Sequence, residues 1–134
     1  MSSREGLLVA QVLCGLFLSV LFLQSGLDKV LDWQGNKSYI ASVFAKTALA
    51  RLSTLMLLGI TVLEVLAGAV SAAGVLALLF LKDPTAAFFG ACLAGLAIVA
   101  LFFGQRIAKD YAGAAGLVPY FIATVLAVLV DSAR

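Results

Sequence analysis

Chemistry in this chain can rest on very few side chains. The stretch F-L-Q-S-G-L-D-K-V-L-D-W, Phe22 to Trp33, places Gln24, Ser25, Asp28 and Lys29 within two helical turns of one another, where a long apolar run ends. Glu64 interrupts a second apolar run, and Arg106, Lys109 and Asp110 close a third. A carboxylate inside an apolar segment must be neutralised or paired, so Glu64 reads either as a proton- or ligand-binding acid or as a structural tie to Lys29 or Arg106. The chain has no His, so the commonest metal ligand and physiological proton carrier is missing, and no metal site is expected. Proton chemistry would fall on Glu64, other carboxylates, Lys or Tyr. Cys14 and Cys92 lie in separate apolar runs and form no C-x-x-C pair, which argues against thiol–disulfide exchange. Each reads as a small buried apolar residue.

The elements that must position these groups follow from composition. Hydrophobic residues make up 63% of the 134 residues and charged residues 12%, with a mean hydropathy of +1.14. A soluble domain carries about 25% charged residues. The expectation is one all-α domain, a polytopic membrane protein built as a four-transmembrane-helix bundle. Its spans are Gly6–Leu27, Leu52–Leu81, Ala86–Gly104 and Tyr111–Val130. Each run reaches or approaches the ~20 residues a crossing needs, and the second exceeds it. None alternates polar with apolar, which favours helices over a barrel. The first run is too long for a signal-peptide core and ends in Q-S-G-L-D-K, so it reads as a retained span. Asn36 is placed to cap a short amphipathic helix between spans 1 and 2, with Ile40, Val43, Phe44 and Thr47 on one face and Trp33 and Tyr39 as interface anchors; an ordinary polar loop is the alternative. Lys82-Asp83-Pro84-Thr85 predicts a tight turn, and Asp110 the start of the fourth helix.

Four spans put the end of helix 1, the long loop and the Arg106–Asp110 connection on one membrane side, here face B. Glu64 lies about 18 Å along its helix from Leu52, between face B and the midplane. Polar and small residues mark candidate inward stripes. These are Gln11, Gly15, Leu18, Phe22, Ser25 and Lys29 on span 1, then Thr61, Glu64, Gly68 and Ser71 on span 2. Span 3 offers Gly95, Phe102, Arg106 and Lys109, and span 4 offers Gly113, Gly116, Tyr120 and Thr124. Turned inward, they predict a face-B pocket of Gln24, Ser25, Lys29, Glu64, Arg106 and Lys109. For Lys29 and Arg106, snorkelling to the interface is the competing reading.

The motif F-L-Q-S-G-L-D-K-V-L-D-W, a loop of roughly twenty residues, and L-L-G-I-T-V-L-E-V-L-A-G together resemble the DoxX-like (DoxX/DoxD/MauE-like) family of four-helix membrane proteins. The likeness is strongest over Leu16 to Gly74; S-G-x-x-K maps to Ser25, Gly26 and Lys29, and the acid of the second helix to Glu64. The resemblance implies an accessory or anchor subunit of a membrane redox complex rather than an oxidoreductase catalyst. It also implies a membrane or peripheral protein partner, a quinone or lipid head group as the ligand class, and residence in a prokaryotic cytoplasmic membrane. Two alternatives remain: a small proton-coupled transporter using Glu64, and a ligand-free scaffold or assembly factor. Self-association is also left open. The +2 net charge is scattered, which excludes a nucleic-acid partner. Six of the Lys and Arg residues fall on face B, and Arg4, Lys82 and Arg134 on face A. This bias would place face B in the cytoplasm by the positive-inside rule, whereas the resemblance places the long loop outside.

Overall fold

The computed structural model describes residues 2–133, which form six α-helices and a short 3₁₀ turn, with no strand among them. Arg134, assigned above to face A, lies outside the described residues. Four segments are long and apolar enough to cross a membrane, so the chain is an integral membrane, four-span helical bundle.

Helix α1 (Ser3–Leu31) opens with a capping box. The Glu5 N–H donates to Ser2 Oγ, and the Ser2 N–H donates to the Glu5 carboxylate, both at 3.2 Å. The helix runs four residues past Leu27, so Ser25 to Lys29 sit inside its last turns rather than after it. Asp32 ends α1 and begins α2 (Trp33–Phe44), its side chain accepting from Gly35 N–H at 3.3 Å. The predicted interfacial helix is therefore present, but Asp32 caps it and Asn36 does not. Asn36 lies within the helix and its amide donates to the Asp32 carbonyl at 2.8 Å. The predicted face does turn inward: Ile40, Val43 and Thr47 are half-buried and Phe44 is buried, beside Gly104.

The 3₁₀ turn Ala50–Leu52 leads into α3 (Ser53–Leu81). Lys82, at φ 53°, reverses the chain in the left-handed region. Asp83 then closes the turn, accepting from the Thr85 N–H at 3.0 Å and its hydroxyl at 2.7 Å. Helix α4 (Thr85–Ile107) follows. The fourth span is not one helix. Asp110 caps α5 (Tyr111–Gly116) through the Gly113 N–H at 3.0 Å, and the chain restarts after Leu117 as α6 (Val118–Ser132) with Pro119 in its first turn. A proline there lacks the N–H that would continue the helix from α5 but suits a helix start. Helix α6 also extends past the predicted end at Val130 and carries Asp131 into the bundle.

Around the bundle α1 packs on α3, α3 on α4, α4 on α6 and α6 back on α1. Close backbone approaches at Gly68, Gly74 and Gly90 leave no room for a side chain. A Cβ at Gly68 would lie 2.7 Å from Leu23 N, and one at Gly74 would lie 2.5 Å from the Ala87 backbone. Small residues let helices approach this closely where apolar burial gives no net drive in lipid.

The core contains Leu18 and Phe22 of α1, Ala67 of α3, Ala94 and Ala97 of α4 and Ala127 of α6. The stripes expected on α1 and α3 are the observed ones, including Gln11, Gly15, Thr61, Glu64 and Ser71. On α4 the expected stripe is wrong. Phe102, Arg106 and Lys109 are exposed, and the buried face is Ala87, Ala91, Ala94 and Ala97 with Ile98. On α6 Thr124 is inward as expected, but Tyr120 is exposed, and the stripe continues through Ala127 to Asp131.

Candidate functional site: an intramembrane ion pair

Helix geometry explains how Lys29 and Glu64 meet. Cα–Cβ bonds tilt toward a helix N-terminus. Helix α1 ends at face B, so the Lys29 side chain leans back into the bilayer. Helix α3 starts at face B, so the Glu64 side chain leans toward that face. The two antiparallel helices thus aim an ammonium and a carboxylate at each other. Gly26, against Val65, lets the helices close to the necessary distance.

Lys29 Nζ stands 3.1 Å from Glu64 Oε1 and donates to Oε2 at 3.3 Å. It also donates to the Ser25 hydroxyl at 3.0 Å and, more weakly, to the Ser25 carbonyl at 3.5 Å. Glu64 is 0% exposed, whereas the Lys29 side chain keeps 16%. Ser25 thus completes the lysine's shell from one turn below. Lys29 does not snorkel outward, because its counter-charge lies deeper than its Cα.

The structure therefore unites Ser25, Lys29 and Glu64 of the six predicted pocket residues. Gln24 is exposed on the other side of α1. Arg106 is exposed and lies over the Tyr111 ring, 4.6 Å from its centroid, a cation–π contact bridging the α4–α5 turn. Lys109 is exposed in that turn at φ 61°. A cavity of about 510 Å³ at face A and another of about 200 Å³ between α4 and α6 both lie away from Ser25, Lys29 and Glu64. Three other intramembrane hydroxyls bond within their own helices, whereas the buried Ser71 hydroxyl of α3 has no hydrogen-bond partner. Ser19 donates to the Gly15 carbonyl at 2.6 Å, Thr61 to Leu57 at 2.6 Å and Thr124 to Tyr120 at 2.7 Å.

Sequence reasoning missed two polar groups. Gln105, next to Arg106, has a buried side-chain oxygen with no hydrogen-bond partner. Asp131 is 2% exposed on α6, and its Oδ1 likewise has none. Ending the fourth span at its first charge hid Asp131. Continuing the Thr124–Ala127 stripe by one further step of four would have found it.

No family model matches this chain, and neither a curated protein nor a solved structure matches it.

Proposed function

We propose that this protein is a non-catalytic, DoxX-like membrane subunit that anchors a protein partner of a redox complex at face B of a prokaryotic cytoplasmic membrane. The observation that carries this reading is the closed Ser25–Lys29–Glu64 contact. Glu64 is fully enclosed and spent on Lys29, an arrangement that braces α1 against α3 and leaves no carboxylate turned to solvent for proton exchange. The redox association rests on the S-G-x-x-K and second-helix Glu motifs. Helix α2 packs on α3 and α1, and together with the exposed Arg106 and Lys109 it forms the polar surface a partner would meet. A quinone carbonyl or lipid head-group oxygen would reach the site on the exposed side of Lys29.

The test is purification in mild detergent from cells expressing the tagged chain. A co-purifying redox subunit, or a bound isoprenoid quinone in the lipid extract, is expected, and Lys29→Met should lower its yield. A chain that isolates alone, with no isoprenoid, overturns the reading.

A further inference from the structure

Two acids are enclosed in this bundle, Glu64 at 0% and Asp131 at 2% exposure. Lys29 stands 3.1 Å from Glu64, whereas no Lys or Arg lies within ion-pair distance of Asp131 among the described residues. Asp131 Oδ1 has no hydrogen-bond partner either. The acid continues the buried Thr124–Ala127 stripe, so it belongs to the packed side of α6 and not to the lipid side.

No neighbouring element brings Asp131 a positive charge. Helix α6 packs on α4, α1 and α5. On α1 the nearby titratable group is the Cys14 thiol. Gln11 reaches the preceding residue instead, its Nε2 donating to the Val130 carbonyl at 2.9 Å. Helix α4 carries Arg106 at its face-B end and the Cys92 thiol, and α5 carries Tyr111, also at face B. At face A itself Arg4 and Lys82 are exposed, and Glu5 and Asp83 have the wrong sign. The end of α6 adds unsatisfied carbonyls, whose negative potential opposes a carboxylate there.

An ionised Asp131 is therefore uncompensated from every side. The least costly remedy is a proton, because a neutral carboxyl needs no counter-charge and keeps both a donor and an acceptor. The site is also reachable. Asp131 stands one residue before the end of α6, so only the last turn of that helix separates it from water at face A.

We propose that Asp131 is a proton-binding site at face A. The closed bundle holds it as the neutral acid, and loss of the proton loosens the seam between α1 and α6. The Gln11–Val130 hydrogen bond crosses that seam beside the acid, and the half-buried Cys14 lies on its α1 side. Glu64 behaves in the opposite way and stays ionised, because Lys29 matches its charge. Proton binding thus falls on the acid that the redox reading leaves unused, and it stands whether or not a redox partner co-purifies.

The test uses the full-length protein in an ester-free detergent, where no lipid carbonyl masks the infrared C=O stretch of a protonated carboxyl. That band is expected at about pH 5.5, where ordinary carboxyls are ionised, and should fade reversibly toward about pH 8.5. Asp131→Asn, checked for native helicity, should abolish the band, and Glu64→Gln should leave it in place. Loosening of the seam is read from Cys14 in a Cys92→Ser background. At the alkaline pH an uncharged maleimide should label Cys14 several-fold faster with Asp131 present than in Asp131→Asn, and at the acidic pH the two rates should be equal. Comparing the two proteins at one pH cancels the intrinsic rise of thiol reactivity with pH. Absence of the band at the acidic pH overturns the proposal, as does a band that survives in Asp131→Asn or disappears in Glu64→Gln. Equal labelling of the two proteins at the alkaline pH overturns the coupling to the seam.

Discussion

Near face B, α1 supplies Lys29 to a carboxylate on α3. Near face A, the same helix supplies Gln11 to the backbone beside a carboxylate on α6, and no cation to the acid itself. Both acids are almost fully enclosed, and in both cases helix direction steers the interaction. Lys29 and Asp131 each stand near a helix C-terminus, so each leans inward. Lys29 finds Glu64 on the facing helix; Asp131 Oδ1 finds no hydrogen-bond partner, and the neighbouring Cys14 of α1 brings no positive charge. The face-B pair is self-sufficient and reads as a register lock between α1 and α3. The face-A acid is not compensated by the protein, and a group of that kind is the better place to look for a ligand.

The largest expected effect that could break this contrast comes from Lys29→Met. It strands Glu64 in a fully enclosed position, and removing one partner of a buried pair destabilises by about 3–5 kcal/mol. Reversible unfolding in mixed detergent micelles would measure it. A loss under about 1 kcal/mol would show that Glu64 does not depend on Lys29. Next comes Gly74→Leu, which forces α3 off the Ala87 backbone and should cost about 1–3 kcal/mol, read as a lowered midpoint in thermal melts. Glu64→Gln should cost less than Lys29→Met, because Lys29 retains partial access to the interface and can turn toward water. In a double-mutant cycle the pair Lys29→Met with Glu64→Gln should recover much of the single-mutant loss, whereas strictly additive losses would show the two residues to be uncoupled.

At face A, Gln11→Leu should cost about 1 kcal/mol through the hydrogen bond to Val130, in the same unfolding assay. The smallest effect on folding is expected from Asp131→Asn, which should be neutral or stabilising in detergent without added lipid because it removes an uncompensated buried charge. If Asp131→Asn destabilises as much as Lys29→Met, the asymmetry between the two ends is wrong and Asp131 has a structural partner after all.

Much of this arrangement was legible in the residues. Glu64 stands among Leu and Val, so its depth and its need for a partner follow from helix rise and from the cost of a charge in hydrocarbon. The Gln11–Lys29 and Thr61–Ser71 stripes were legible because polar and small residues in those two helices coincide with the packed side. The α4 stripe was not, because α4 is almost uniformly small and apolar. With Ala, Gly and Phe on every side its periodicity barely distinguishes a face, and the charges at its end pointed to the wrong one. Arg106 and Lys109 belong to the turn at the membrane surface, where lipid-facing and protein-facing positions are equally tolerable for a cation. Asp32 is hard to recognise as a cap because the apolar run before it ends at Leu27, whereas the helix continues to Leu31.

What the sequence determined by itself was the class of object: four apolar helices of spanning length, a surface helix after the first, and one acid placed where a bilayer would not accept it unpaired. Those features follow from composition and helix rise, which are local quantities. Only the tertiary structure decided that Glu64 takes Lys29 and that Arg106 turns to Tyr111. It also carried the fourth span past Val130, so that Asp131 lies enclosed without a counter-charge. The physical reason is that a partner is chosen by the rotation and separation of two helices. In a lipid environment these are set by where small residues allow close approach rather than by a polarity contrast that the chain displays along its length.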